Sequence, residues 1–251
     1  KRSSAYVLYY YMESNTILNV DNLSIRLDHE TILNGISFDV KQGEALAIIG
    51  PNGAGKTVLF RALLGLVAYR GTIEWKKGVR IGYVPQKFFV DKSFPITVRE
   101  FFLLKSRGFW MPKPAFLSHL EHELSLVGLA KDILIKPVNE LSGGQLQRIL
   151  ISWAMLNHPD VLLFDEPTAG IDVGAEETIY TILHKLQNDR GTTVLLISHD
   201  LNIVYRYADK VLCVNKTMIC HGKPKDILNP EELVRIYGEG GFYHHPQEEL
   251  L

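Results

Sequence analysis

The chain has 251 residues, 46% of them hydrophobic, with 27 basic and 28 acidic side chains and a formal net charge of −1. That length suits one large domain or two small ones, and the balanced charge excludes a protein built to coat nucleic acid, which carries a basic excess. The two cysteines, Cys213 and Cys220, point to a reducing compartment without a disulfide framework, and no apolar run reaches the ~18 residues that a membrane-spanning helix needs.

Residues 1–14, opening KRSSAYVLYYY, do not join the pattern that follows. They read as a vector-derived or disordered terminus, with Met12 a natural start. From Ile17 to Val40 apolar and polar residues alternate, which predicts two strands joined by a polar turn at Asp28–Glu30. EALAII (Glu44–Ile49) is a nearly continuous apolar strand, the kind buried on both faces. A glycine-rich loop and a helix through about Leu66 follow, then strands in GTIEW and VRIGYVP. From Thr97 to Leu129 the pattern is helical, opening on a capping box of Thr97 and Glu100 and broken by RGFWMPKP. A helix after LSGGQ runs to about Asn157 and stops before Pro159. The buried strand VLLFDEP, a helix that Asp172 caps, and the buried strand TTVLLIS come next. KVLCVN and MICHG form a hairpin around Asn215–Thr217, and the tail from Gly238 has no periodicity. Strands alternating with helices imply an α/β fold with a mainly parallel core sheet covered on both faces. An antiparallel β extension precedes it, and a helical insertion spans about Phe88 to Val138. The organisation expected is one domain over 15–237, a helical subdomain of about 88–150 within it, and a tail of 238–251.

GPNGAGKT, from Gly50 through Pro51, Asn52, Gly53, Ala54, Gly55 and Lys56 to Thr57, matches the phosphate-binding loop G-x-x-x-x-G-K-[ST] between an apolar strand and an amphipathic helix. Its glycines let backbone N–H groups turn onto phosphate oxygens, and the helix adds its positive end. Lys56 places a charge on the β and γ phosphates, and the Thr57 hydroxyl can ligate Mg²⁺. VLLFDEP delivers Asp165 and Glu166 to the carboxyl end of a buried strand, where open parallel sheets bind ligands. Asp165 can hold the metal, and Glu166 stands where a carboxylate could polarise an attacking water. His199, after VLLIS, could reach a γ-phosphate. Gln86, ending GYVPQ, could touch the metal or its water.

LSGGQ then poses a question. Ser142 and the N–H groups of Gly143 and Gly144 open a helix and form a second anion site, which a chain binding one nucleotide does not need. The simplest resolution is that the loop, with Gln145, serves the nucleotide of another copy. Two chains packed head to tail would form a closed two-fold dimer with two ATP molecules in the seam.

Together these motifs resemble the ATPase subunit of the ATP-binding cassette (ABC) transporters, a P-loop NTPase fold, over about Ile17 to Leu233. The resemblance covers Walker A at Gly50–Thr57, the Q-loop Gln86, the signature Leu141–Gln145, Walker B ending in Asp165 and Glu166, the D-loop AGID ending in Asp172, and the switch histidine His199. It implies ATP sandwiched in a homodimer, hydrolysis using Glu166, Mg²⁺ held by Thr57, Gln86 and Asp165, and motion passed to integral membrane permease subunits near the Q-loop. RIGYVPQKFFVDKSFPITV, DKVLCVNKTMICHGKP and YGEGGFYHH are similar to the cassettes of zinc, manganese and iron importers. That likeness implies a peripheral subunit on the cytoplasmic face of the inner membrane, an indirect partnership with an extracytoplasmic metal-binding protein, and no nucleic acid. A siderophore or cobalamin importer, or a soluble non-transport ABC ATPase, is the alternative.

The chain departs from the family's pattern twice. Leu27 stands where an aromatic usually stacks on adenine, and Val58 replaces a second hydroxyl that contacts the α-phosphate. Cys213, Cys220, His221, His244 and His245 fit no familiar zinc spacing, and Cys213 reads as core. The aromatics Phe88, Phe89, Phe94, Phe101, Phe102, Phe109 and Trp110 read as the core of the insertion, some of them lining a groove for a permease helix. EHELSLVGL reads as an amphipathic helix.

Overall fold

The computed structural model describes residues 15–88, 91, 95–105, 114–166 and 173–238. In chain order its elements are β1 (Thr16–Leu27), β2 (Glu30–Lys41), β3 (Ala45–Ile49), α1 (Lys56–Leu63), β4 (Arg70–Trp75), β5 (Ile81–Val84), α2 (Val98–Leu103), α3 (Pro114–Leu126), α4 (Gly143–Met155), β6 (Val161–Asp165), α5 (Val173–Arg190), β7 (Thr193–Ile197), α6 (Leu201–Tyr207), β8 (Lys210–Asn215), β9 (Thr217–Gly222), α7 (Pro224–Ile227) and α8 (Pro230–Tyr237). The chain divides into two compact units, Lys1–Lys76 with Ile197–Leu251, and Lys77–Leu196.

In the first unit β1 and β2 form the expected antiparallel hairpin. Asp28 (φ 46°) and His29 (φ 70°) turn it, and positive φ at both central residues matches the strand twist. β4 pairs with the other edge of β1, completing a three-stranded antiparallel sheet. All five residues of β3 are buried, as its continuous apolar run requires. Each buried Leu or Ile contributes about 1.5–3 kcal/mol relative to exposure. β3 runs parallel to β8, and β8 turns antiparallel into β9. Ile49, Val204, Val211, Leu228, Leu233 and Ile236 pack into one core on this group, which α6 and α8 cover. Helix starts are set locally. Asp200 caps α6 by accepting from the N–H of Asn202 at 2.7 Å, and Asn229 caps α8 by accepting from Glu232 N at 2.9 Å, with Pro230 in the first turn.

Two expectations are corrected here. The helix after the glycine loop stops at Leu63 rather than near Leu66. Gly65 at φ 70° takes the left-handed turn. Its N–H donates to Ala62 O at 2.9 Å and that of Leu66 to Arg61 O at 2.8 Å, a paired C-terminal cap. The cysteine count suggested no disulfide framework, yet Cys213 and Cys220 face each other across the β8–β9 ladder, with Cα atoms 4.8 Å apart, paired as a disulfide. Register places them opposite; spacing alone does not reveal it. Cys213 is also core, as expected.

In the second unit the strand order is β5-β6-β7, with β5 parallel to β6 and Val84 beside Phe164. Arg80 ties the start of this pair. Its guanidinium reaches both oxygens of Asp160 at 3.3 and 3.4 Å, and its carbonyl accepts from Asp160 N at 2.8 Å. The Arg80 hydrogen bond holds the Asp160 carboxyl below the usual range. α2 opens on the predicted capping box of Thr97 and Glu100. Phe101 and Phe102 are buried, and Phe101 stacks on Trp153 of α4 with ring centroids 4.3 Å apart, so both belong to the core of this unit. Phe89, Phe94, Phe109 and Trp110 lie outside the described residues, as do His244 and His245.

Candidate nucleotide-binding site

The glycine loop in the first unit leaves β3 and enters α1. Gly50 (φ 151°) lies so close to β8 that a Cβ there would stand 1.9 Å from the carbonyl oxygen of Val214. No side chain fits that approach. Gly55 (φ 97°) caps α1 without a side-chain hydrogen bond, and a Cβ would meet Leu33 Cδ2 at 2.6 Å. The leading N–H groups of α1 therefore lack a side-chain cap and present a donor array with the helix dipole behind it.

Lys56 is only 6% exposed. Its Nζ donates to the carbonyls of Gly50 at 2.8 Å and Pro51 at 3.0 Å. The ammonium is thus held inside the loop by neutral acceptors, for which an anionic oxygen is the stronger substitute because it adds ion–ion attraction. The loop is braced from β8–β9. Lys216 N donates to Ala54 O at 3.2 Å, and Asn34 N donates to Lys216 O at 2.8 Å. Asn52 and Gly53 are exposed, while Thr57 and Val58 are half-buried at the start of α1. Leu27 ends β1 at 36% exposure, an apolar surface without an aromatic ring. His199 is exposed between β7 and α6. The residue before it, Ser198, donates its N–H to Ile48 O at 3.3 Å.

In the second unit the ends of β5 and β6 assemble a polar group. Asp165 is 1% exposed and accepts from the Tyr83 hydroxyl at 3.3 Å. Sequence reasoning missed Tyr83; its place three residues before the end of GYVPQ, on the strand beside VLLFD, was the available signal. Glu166 adopts a left-handed backbone (φ 49°), a conformation that clusters at functional sites. Gln86 donates its Nε2 to Glu166 Oε2. The sequence singled out Gln86 and Glu166 separately, and the fold brings them together.

Ser142 caps α4 in a reciprocal box. Its hydroxyl accepts from Gln145 N at 3.3 Å, and its N–H donates to Gln145 Oε1 at 3.1 Å. Gln145 is therefore engaged in holding the helix start. Ser142 and Gly143 are exposed, so the loop is presented outward. Arg148, not anticipated, steadies it by donating to Gly144 O at 3.1 Å. Asp172 lies outside the described residues.

This geometry supplies a phosphate cradle, a buried carboxylate, a carboxylate–amide pair and an outward-facing helix N-terminus. The ABC transporter family model matches residues 33–169. Over 237 residues the chain is 36% identical to the zinc import ATP-binding protein ZnuC of Photorhabdus laumondii, covering 94% of this chain and 87% of that one. It is similar to the solved structure of cbiO1 from Clostridium perfringens, part of the ABC transporter complex cbiONQ, with TM-score 0.73 and 29% identity over 88% of this chain and 94% of that one. It is also similar to the ATP-binding cassette MJ1267 in its ADP conformation, with TM-score 0.76 and 26% identity over 88% and 98%.

Proposed function

The chain belongs to the ABC transporter family, whose activity is ATP hydrolysis, and from that premise we propose that it is the ATPase subunit of an importer for a divalent metal ion, zinc or manganese. The observation that carries the reading is the loop at Gly50–Lys56, where a glycine that admits no Cβ and a lysine folded onto two backbone carbonyls form a cradle for phosphate. Similarity to a zinc import ATP-binding protein supports the cargo class.

Within this reading Lys56 exchanges the Gly50 and Pro51 carbonyls for phosphate oxygens. Gly50 through Val58 hold the triphosphate. Thr57, Gln86 and Asp165 would hold Mg²⁺, since hydroxyl, amide and carboxylate oxygens are the donors that hard ion takes. When bound, the ion neutralises phosphate charge. Glu166 orients and polarises the attacking water, Gln86 positions Glu166, and His199 steadies the γ-phosphate. Ser142, Gly143 and Gly144 of a second copy close on the nucleotide in a head-to-tail dimer, with Gln145 fixing their helix start and Asp172 contributing at the seam. Positioning and charge neutralisation account for most of such catalysis. The proposed catalytic domain is 15–237, with a helical subdomain of about 88–150.

Among the described residues no helix is long and apolar enough to cross a membrane. We assign the membrane path to separate permease subunits, this chain to their cytoplasmic face, and cargo delivery to an extracytoplasmic metal-binding protein. The test is complementation. Bacteria lacking their own zinc-import ATPase, carrying this chain with its cognate permease, should regain growth under zinc chelation. Glu166→Gln should not restore it. Growth restored equally by both would refute the reading.

A further inference from the structure

A second polar cluster lies in the second unit, apart from every residue given a role above. His119 and Glu123 stand one turn apart on α3, and His158 follows the end of α4 at φ 46°. One ligand atom from each lies within 4.8 Å of the others. His119 Nε2 is 3.9 Å from Glu123 Oε1, and the two imidazole rings lie 4.5 Å apart, tilted by 35°. We propose that His119, Glu123 and His158 form a binding site for a divalent transition-metal ion of the zinc type.

The donor chemistry favours this. Two imidazoles and one carboxylate make an N₂O set that zinc accepts with a fourth position left to water, while Mg²⁺ and Ca²⁺ prefer oxygen throughout. Zinc–ligand distances near 2.0–2.2 Å put tetrahedral donors about 3.3 Å apart, so the three side chains close by roughly 1–1.5 Å, within rotamer adjustment. His158 is exposed and gives an approach from solvent, while Glu123 is 1% exposed and fixed. Supporting contacts are already in place. Arg190 donates to both Glu123 oxygens at 3.0 and 3.3 Å; His119 Nε2, 3.2 Å from the Leu156 carbonyl, exchanges that acceptor for the ion, because a ring nitrogen that donates its N–H has no lone pair for a metal. A carboxylate has lone pairs for Arg190 and an ion together, and hydrogen-bonded ligands of this kind are oriented for metal. The Arg190 charge weakens the site, which suits an ion that exchanges. An ion there would clamp α3 to the end of α4. The proposal does not depend on the transport reading.

The test uses the full chain with Zn²⁺ alone, in competition with a chromogenic chelator and excess Mg²⁺. Wild type should hold one equivalent that His158→Ala and His119→Gln each weaken by about tenfold or more. The pair His244→Ala/His245→Ala should retain it. His158 is exposed, so that variant keeps the fold, and thermal unfolding without metal checks it. Unchanged zinc affinity in both α3–α4 variants overturns the proposal, as does loss of the equivalent in the tail variant.

Discussion

Gln86 donates its side-chain amide to the Glu166 carboxylate, and each stands two residues beyond a register pair, Val84 and Phe164, of the parallel strands β5 and β6. Matching offsets on paired strands make the contact a product of register. Displacing either strand end moves both groups.

In the proposed chemistry this pair aims the general base. Glu166→Gln keeps the shape and a hydrogen-bond acceptor for Gln86 but cannot polarise water. Steady-state phosphate release should fall by about 10²–10⁴-fold, while equilibrium ATP binding stays within a few-fold of wild type. The ATP-loaded variant should accumulate as a dimer by light scattering. A monomer at saturating ATP would sink the paired-site reading.

Gly50 makes a sharper structural prediction. A methyl group there meets a strand carbonyl, not a movable side chain, and the residue sits at positive φ. Gly50→Ala should cost about 3–5 kcal/mol in urea unfolding, in the range of severe core disruption. Nucleotide binding should fall with it, because Lys56 hydrogen-bonds the carbonyl of this same residue. A variant of wild-type stability would show that β8 does not press on the loop.

Ser142 carries two roles that substitution separates. Glycine is an adequate helix cap, so Ser142→Gly should cost only a few tenths of a kcal/mol, against about 1 kcal/mol for Ser142→Ala. Both remove the hydroxyl proposed to reach a second copy's nucleotide. ATPase activity should therefore fall alike in the two variants while their melting temperatures differ. Activity that tracks stability instead would reduce Ser142 to a helix cap.

Much of this was legible in the sequence, for local reasons. Walker A is a run whose glycines serve backbone geometry, and the Thr97–Glu100 box is closed within four residues. Alternation predicts β1 and β2, and continuous apolar runs predict β3, β6 and β7. Long-range relationships were not legible. Glu123 lies in a segment read as a plain amphipathic helix, but it is buried because Arg190, far along the chain, neutralises it. Cys213 meets Cys220 only once the hairpin register is set. Tyr83 reaches Asp165 only because β5 and β6 are neighbours. Each is a pairing of distant residues, for which a single sequence offers no local period.

Lys105 gives a prediction in pH. Its Nζ donates to the Trp153 carbonyl and lies 4.7 Å from the centre of that ring. Both contacts favour the ammonium, yet burial outweighs them and lowers its pKa from 10.5 to about 8. Between those values the unfolded chain holds a proton that the folded chain has released. Unfolding then takes up a proton, so this group makes stability rise with pH from about 8 to 10.5. Below that window the full penalty of a buried charge is present. Lys105→Met keeps the aliphatic packing on Trp153 and removes the charge. It should be more stable than wild type at pH 7, and the gap should narrow as pH climbs through the window. Urea unfolding at pH 7, 8, 9 and 10 reads both effects. A gap that stays constant with pH would mean that Lys105 titrates as an exposed lysine does.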